Sequence, residues 1–207
     1  MDELGAIENE AALRTLYRQP TKAVREKSFP HLDKHSRRFI ELSPFFCIGS
    51  SQPNGLADVS PRGGEPGFVH ALDDTHVAFP DRPGNNRLDT LANILHQPAV
   101  GLLFFLPGVQ EMLRINGLAS ISTEESLMVP FVHEAKRPRS IVVIETREVY
   151  FHCSKALRRS DLWNPDKRLP MGGFATLGQI TRDQFKLPIP ARLIDFALSR
   201  DAKKKLY

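Results

Sequence analysis

No stretch of this chain approaches the roughly 18 consecutive apolar residues that a membrane-spanning helix requires. Its start, Met1-Asp2-Glu3-Leu4-Gly5, is acidic and carries neither the basic region nor the apolar core of a secretory signal. Cysteine is scarce. The two present, Cys47 and Cys153, lie far apart and make no metal-ligand spacing, so no metal site is expected. Cys47 sits in an apolar run and reads as a small buried hydrophobe. A cytoplasmic, reducing setting without membrane attachment is the expectation. Long basic blocks with interleaved aromatics are missing too, which argues against a nucleic-acid partner although net charge is +4. No Gly-x-Gly-x-x-Gly follows a strand, so a Rossmann dinucleotide site is not expected. Internal repeats and low-complexity segments are absent as well.

What is present is an ordinary globular composition. Of 207 residues, 41% are hydrophobic and 25% charged, enough for one domain with a proper core. Residues 8–17, 21–27 and 33–41 carry helical patterns, and residues 1–42 read as a helical preface packed against the main body. His31 and His35 belong to this preface, and without a carboxylate or Cys partner they read as a solvated face. From Phe45 the period shortens to two. Residues 45–50 and 56–60 flank an Asn54-Gly55 turn, a hairpin signature. Residues 68–72 and 75–79 form a second candidate hairpin. A continuous apolar run, residues 100–106, asks for burial on both sides. Residues 112–121 and 140–152 are further strands, with a helix expected over residues 126–133. Short strands with few internal helices predict an antiparallel barrel, not a parallel α/β sheet. The chain divides into preface, barrel (43–157) and a Pro- and charge-rich extension (158–207), which is expected to hold one late helix (191–200) and to drape over the body.

Four clusters could carry chemistry. In Asp81-Arg82-Pro83-Gly84-Asn85-Asn86-Arg87, a turn opens a helix and adds two guanidinium groups. Unpaired backbone N–H groups, the helix dipole and bidentate Arg donors together suit an oxyanion. A solvated turn with Asn as the helix N-cap is the other reading. The second cluster, Asp58 to Gly64, ends a strand in Ser60, Arg62 and two glycines, either a ligand wall or a plain turn. In the third, strand alternation separates Glu111, Leu113 and Ile115 from Met112, Arg114 and Asn116. The fourth brings His152, Cys153, Lys155, Arg158 and Trp163 together in sequence. Adjacent strand residues point to opposite faces, so His152 is badly placed to activate Cys153. A cation-rich wall beside an indole suits a flat anionic ring system better.

The order S-P-R-G, strand, F-P-D-R-x-G-N-N-R, helix ending N-I-L-x-x-P, L-L-F-F, P-G, L-R-I-N-G resembles the pyridoxamine 5′-phosphate oxidase-like, FMN-binding split-barrel family. The later H-C-x-K-A-x-x-R-S-x-L-W stretch is similar to one bacterial branch of it. The resemblance implies a mainly β fold, a six-stranded antiparallel split barrel with peripheral helices, bound to FMN. It places Ser60, Arg62, Asn85, Asn86 and Arg87 on the FMN phosphate, and Phe79, Pro80, Asp81 and Arg82 beside the flavin ring or ribityl chain. It also implies a homodimer with flavin sites at the subunit interface, where Arg114, Lys155, Arg158 and Trp163 serve the flavin held mainly by the other subunit. The implied activity is hydride transfer at the flavin to or from a small molecule, with a flavin carrier or sensor as the alternative. No catalytic acid or base is assigned. The vitamin B6 oxidase has a C-terminal Arg-x-His for its substrate phosphate, and this chain lacks it. Related split barrels bind the deazaflavin F420 or haem.

Overall fold

The structure, a computed structural model, describes residues 5–133 and 135–204. Three helices precede the sheet: α1 (Glu10–Leu16), α2 (Lys22–Arg25) and α3 (Lys34–Leu42). Only α3 is built into the body. Asp33 caps it, accepting from the backbone N–H of His35 (3.0 Å) and Ser36 (2.7 Å). Those bonds, led by Ser36, hold the Asp33 carboxyl below its ordinary range. Phe39 and Ile40 carry α3 into the core, whereas α1 and α2 bury no residue. The expectation that the preface packs on the body therefore holds for α3 and the segment before it, where Phe29 bridges to Val149 and Leu32 is buried in the core, and not for α1 and α2.

The centre is one antiparallel sheet of seven strands, not six. They are β1 (Phe45–Ser51), β2 (Ala57–Gly63), β3 (His70–Ala71), β4 (His76–Pro80), β5 (Ala99–Phe105), β6 (Met112–Ser122) and β7 (Ile141–His152). The extra one is the two-residue β3, which pairs with β4. The order β2-β1-β5-β6-β7-β4-β3 leaves the sheet open, with β2 and β3 at its ends. Gly55, at φ +84°, closes the β1–β2 hairpin as its Asn-Gly turn demands.

Alternation sorts each strand into two faces. Phe46, Ile48, Leu102, Phe104, Leu113 and Ile115 point inward and are at most 1% exposed. The outward set (Phe45, Cys47, Leu103, Phe105, Arg114, Asn116) stays partly open. The apolar run in β5 is thus buried on one face within the single chain, and Cys47 is half-buried on the other. The β6–β7 ladder shifts register between Asn116 and Gly117. A Cβ at Gly117 would lie 2.2 Å from the Glu145 carbonyl oxygen, so only glycine fits this bulge.

Two connections shape the site. α4 (Asp89–His96) links β4 to β5, and its buried Asn93 donates to Ser50 Oγ (2.9 Å), tying the helix to the β1–β2 end of the sheet. Between β6 and β7 the expected helix shrinks to α5 (Glu125–Met128) and a 3-10 turn, Val129–Phe131, where Pro130 brings no N–H to continue the helix.

After β7 come α6 (Lys155–Ser160), α7 (Leu177–Phe185) and α8 (Ala191–Lys204). α7 was not expected, though Thr176 and Gln179 form a full capping box in front of it. α7 and α8 pack on each other as a hairpin, and within the two helices Gly178 alone is buried. Among the described residues, the extension meets the body at its start, where Trp163 donates to the Val109 carbonyl, while α7 and α8 lie chiefly against each other.

Candidate functional site

A cleft of about 1080 Å³ opens where β2, the β4–α4 turn, the first turn of α4 and residues 136–140 converge. β2 enters it by alternation. Asp58, Ser60 and Arg62 share one face, and Arg62 donates to Ser60 Oγ (2.6 Å) and to the Pro61 carbonyl (2.9 Å). Burial pushes the Arg62 guanidinium below its ordinary value, against the pull of the Asp81 and Asp58 carboxylates. Burial likewise raises Asp81, opposed by Arg62 and Arg139. The backbone N–H of Asp81 donates to the Ser140 carbonyl (2.9 Å), which joins the β4 exit to the β7 entrance. Arg82 reaches away to the Phe131 carbonyl (2.8 Å) and helps fix the 3-10 turn.

The turn then bends sharply. Asn86 (φ +59°) and Leu88 (φ +60°) are both left-handed, an uncommon conformation for a bulky leucine. Leu88 is the N-cap of α4 and gives no side-chain hydrogen bond, so the Asn cap of the alternative reading is not formed. Asn85 Oδ1 accepts from the Arg87 N–H instead (3.0 Å). Arg87 Nε holds Asp89 Oδ2 (2.8 Å), which pushes the exposed guanidinium above its ordinary value. The start of α4 thus has first-turn N–H groups without a side-chain cap and an exposed Arg beside them. An anion completes such an end.

Of the thirteen residues expected at the site, the cleft brings together Ser60, Arg62, Pro80, Asp81, Arg82, Asn85, Asn86 and Arg87. Phe79 is a correction. It is 1% exposed, packs edge-on against Phe46 (5.1 Å between ring centroids) and belongs to the core. Arg114, Lys155, Arg158 and Trp163 do not line the cleft. Arg114 lies on the outer sheet face, its Cζ 4.4 Å from the Tyr150 ring centre. Lys155 and Arg158 are exposed on α6, and Trp163 Nε1 donates to the Val109 carbonyl (2.8 Å). Sequence reasoning missed the opposite wall, Lys136, Arg137, Arg139 and Ser140. Its signal was present as the run Lys136-Arg137-Pro138-Arg139 before a strand. Six cationic side chains, Arg62, Arg82, Arg87, Lys136, Arg137 and Arg139, thus share the cleft with three carboxylates, Asp58, Asp81 and Asp89.

An antiparallel split-barrel sheet with a cation-rich cleft at the start of α4 defines the class. The sequence model of the family described as pyridoxamine 5′-phosphate oxidase matches residues 32–153, more than half of the chain, and the chain belongs to that family. No curated protein matches it. Among solved structures, HupZ of Group A Streptococcus is 14% identical, with 58% of this chain and 93% of that one covered at a TM-score of 0.48. General Stress Protein 26 of Bacillus anthracis is 14% identical (56% and 93% covered, TM-score 0.43). An FMN-binding protein of Syntrophomonas wolfei is 10% identical (56% and 88% covered, TM-score 0.43). These likenesses fall below a TM-score of 0.5, so membership rests on the match over residues 32–153.

Proposed function

We propose that the chain binds FMN in this cleft and is an oxidoreductase acting on a small molecule. The observation that carries the reading is the uncapped start of α4 with Arg87, set in one cleft with the Arg62–Ser60 pair. The fit is physical. A dianionic phosphate supplies the acceptor that the α4 N–H groups lack, and the excess of cations offsets its charge. A cleft of about 1080 Å³ also has room for a flavin together with a small reactant. Asn85, Asn86 and Arg87 would hold the phosphate from the turn, and Ser60 and Arg62 from β2. Pro80, Asp81 and Arg82 would run beside the rest of the cofactor. Bound flavin supplies hydride chemistry at its N5, and the chain's part is to position and to tune charge.

Among the described residues the lining of the cleft has no His, Cys or Tyr side chain, and burial raises the half-buried Asp81 carboxyl toward the neutral form. A carrier or sensor without turnover is compatible with that poverty of acids and bases. In the same reading the chain is a homodimer joined through the outer sheet face, where Phe45, Cys47, Leu103 and Phe105 are only partly covered. Arg114, Lys155, Arg158 and Trp163 then act toward the cofactor of the other copy.

The test is a visible spectrum of the purified protein, followed by titration of the FMN-free form. Arg87→Ala is expected to weaken FMN by about tenfold to a hundredfold, the scale of a charge-assisted bond, and to leave riboflavin unchanged. An equal loss for riboflavin, or a change below about twofold, counts against the phosphate role. Steady reduction by NADH or NADPH with reoxidation by an acceptor separates enzyme from carrier.

A further inference from the structure

β4 pairs with β7 only as far as Glu145. Beyond that point the segment after α2 takes the free edge of β7. Phe29 and Val149 exchange both backbone hydrogen bonds (3.1 and 2.7 Å), and Thr146 Oγ1 donates to the Pro30 carbonyl (2.6 Å). This seam places Lys27. Its Nζ donates to the Phe151 carbonyl (3.2 Å) and lies 4.6 Å from the centre of the Tyr150 ring. Arg114, the cross-strand partner of Tyr150 in β6, brings its Cζ to 4.4 Å from the centre of the same ring. The His152 ring, next along this face of β7, lies 5.0 Å from it. All four side chains are half-buried.

Charge is out of balance in this cluster. One cation over a ring is an ordinary stabilising contact, but two gathered at one ring repel each other. The carboxylate that meets Arg114 is Glu148, and it is held more closely by Asn116 Nδ2 (2.7 Å) than by Arg114 Nη2 (3.4 Å). A charge-assisted bond of full strength is shorter, about 2.7–2.9 Å. Arg114 Nε, meanwhile, is shut away from solvent with no acceptor. The guanidinium is therefore poorly neutralised, although about a third of its side chain (36%) stays open. His152 registers the surplus, since burial and then repulsion by Arg114 and Lys27 hold its imidazole below the ordinary value. A negative group set among the three would turn that repulsion into attraction.

We propose that Lys27, Arg114 and His152, gathered around Tyr150 on the outer sheet face, form a second oxyanion site that takes the phosphate group of a small molecule. Arg114 supplies a guanidinium fork and Lys27 a compact ammonium. His152 adds ring N–H donors, two of them when it is protonated. All the members come from one chain, so the site is complete without a second copy. Two sources of the phosphate share this chemistry. One is a free small anion. The other, which rests on the homodimer reading above, is a group on the molecule held in the other copy's cleft.

The experiment titrates inorganic phosphate into the full chain at fixed pH and matched ionic strength, with the His152 ring resonances read by NMR, first without FMN and then with it. A saturable shift at His152 is expected. Arg114→Gln and Lys27→Gln are each expected to raise the phosphate dissociation constant about threefold to tenfold. Arg114→Lys keeps the charge but loses the fork, and is expected to fall between the parent and Arg114→Gln. Arg147→Gln removes an equal charge from an exposed position of β7 outside the cluster and is expected to change the constant by less than about twofold. Phosphate binding that FMN leaves unchanged supports the site and makes a free anion its ligand. Binding that FMN abolishes, in samples that sediment as dimers, supports it as part of the other copy's binding cleft. No saturable shift in the parent overturns the site. So does a dissociation constant in the Lys27→Gln, Arg114→Gln double variant equal to the parent's. A chain that binds no FMN strikes the flavin reading alone, because the first phosphate titration is carried out without it.

Discussion

Phe45 and Phe46 are neighbours on β1, and Phe104 and Phe105 face them across the ladder in β5. Phe46 and Phe104 are wholly buried, with their ring centroids 4.8 Å apart in the core. Phe45 is 39% exposed and meets Phe105 at 6.1 Å on the other side of the same sheet. Composition does not separate these pairs; the pleat does. The inner face spends its aromatics on cohesion within the chain. The outer face keeps apolar surface open and mixes it with Arg114, Asn116, Glu148 and Tyr150. A sheet that needed only to be stable would cover or charge that surface uniformly. Its mixture is what a face kept for another molecule looks like.

Substitution of the two neighbours is the strongest way to test this contrast. Phe46→Ala is expected to cost about 3–5 kcal/mol in urea unfolding, because it opens a cavity in a packed core. Phe45→Ala is expected to cost about 1 kcal/mol or less in dilute protein. If the Phe45→Ala penalty grows with protein concentration, the missing burial comes from a second copy. Equal penalties at every concentration would erase the distinction between the faces. Next in size is Gly117→Ala. Its methyl group meets the Glu145 backbone and the Ile144 side chain, neither of which can swing away. A loss of about 1–3 kcal/mol is expected, the usual range for overpacking. Because the bulge sets the register beyond it, both faces should loosen together, visible as faster amide exchange on either side of Gly117 in β6.

The same contrast explains what could be read from the sequence. Period-two patterning exposed the strands, and Asn54-Gly55 fixed one hairpin, since both are local consequences of the pleat and the turn. β3 lies inside residues 68–72, which were read as one arm of the second hairpin, but only two of those residues pair, and the expected six-stranded barrel left no place for it. The run in β5 suggested burial on both sides because Gly101, Leu103 and Phe105 are small or apolar, and apolarity alone does not say which face has a neighbour. Most of the cleft was legible, since Ser60, Arg62 and the turn from Asp81 to Arg87 carry polar groups at turn positions. Phe79 was misplaced because it is contiguous with that turn, yet its side chain points into the core. The Lys136–Arg139 wall was overlooked because nothing local ties a basic loop to a turn some fifty residues earlier; the Asp81–Ser140 hydrogen bond does. The left-handed Leu88 had no signal at all, for leucine is a poor candidate for positive φ.

The smallest effect concerns charge on the outer face. Arg114 and Lys27 both sit against the Tyr150 ring, at 4.4 and 4.6 Å, and the His152 ring lies 5.0 Å from it. His152 titrates below its ordinary value, first through burial and then through repulsion by Arg114 and Lys27. Folding therefore disfavours its protonation, and the unfolded chain binds that proton more readily. By linkage this contribution to stability is intact above the unfolded value of about 6.5 and is lost as pH falls from there through the lowered folded value. Arg114→Gln removes one of the two repelling cations. Its expected result in the FMN-free chain is an upward move of the His152 titration by NMR, toward but short of the ordinary value, because burial and Lys27 remain. The acid-side loss of stability should flatten correspondingly. His152 is only partly buried, so the energetic change is expected to be slight and weaker still in high salt. An unchanged titration would mean that Arg114 is held by Glu148, 3.4 Å away, tightly enough to be neutral toward its surroundings. The outer face would then present a settled ion pair instead of cations available to a partner's ligand.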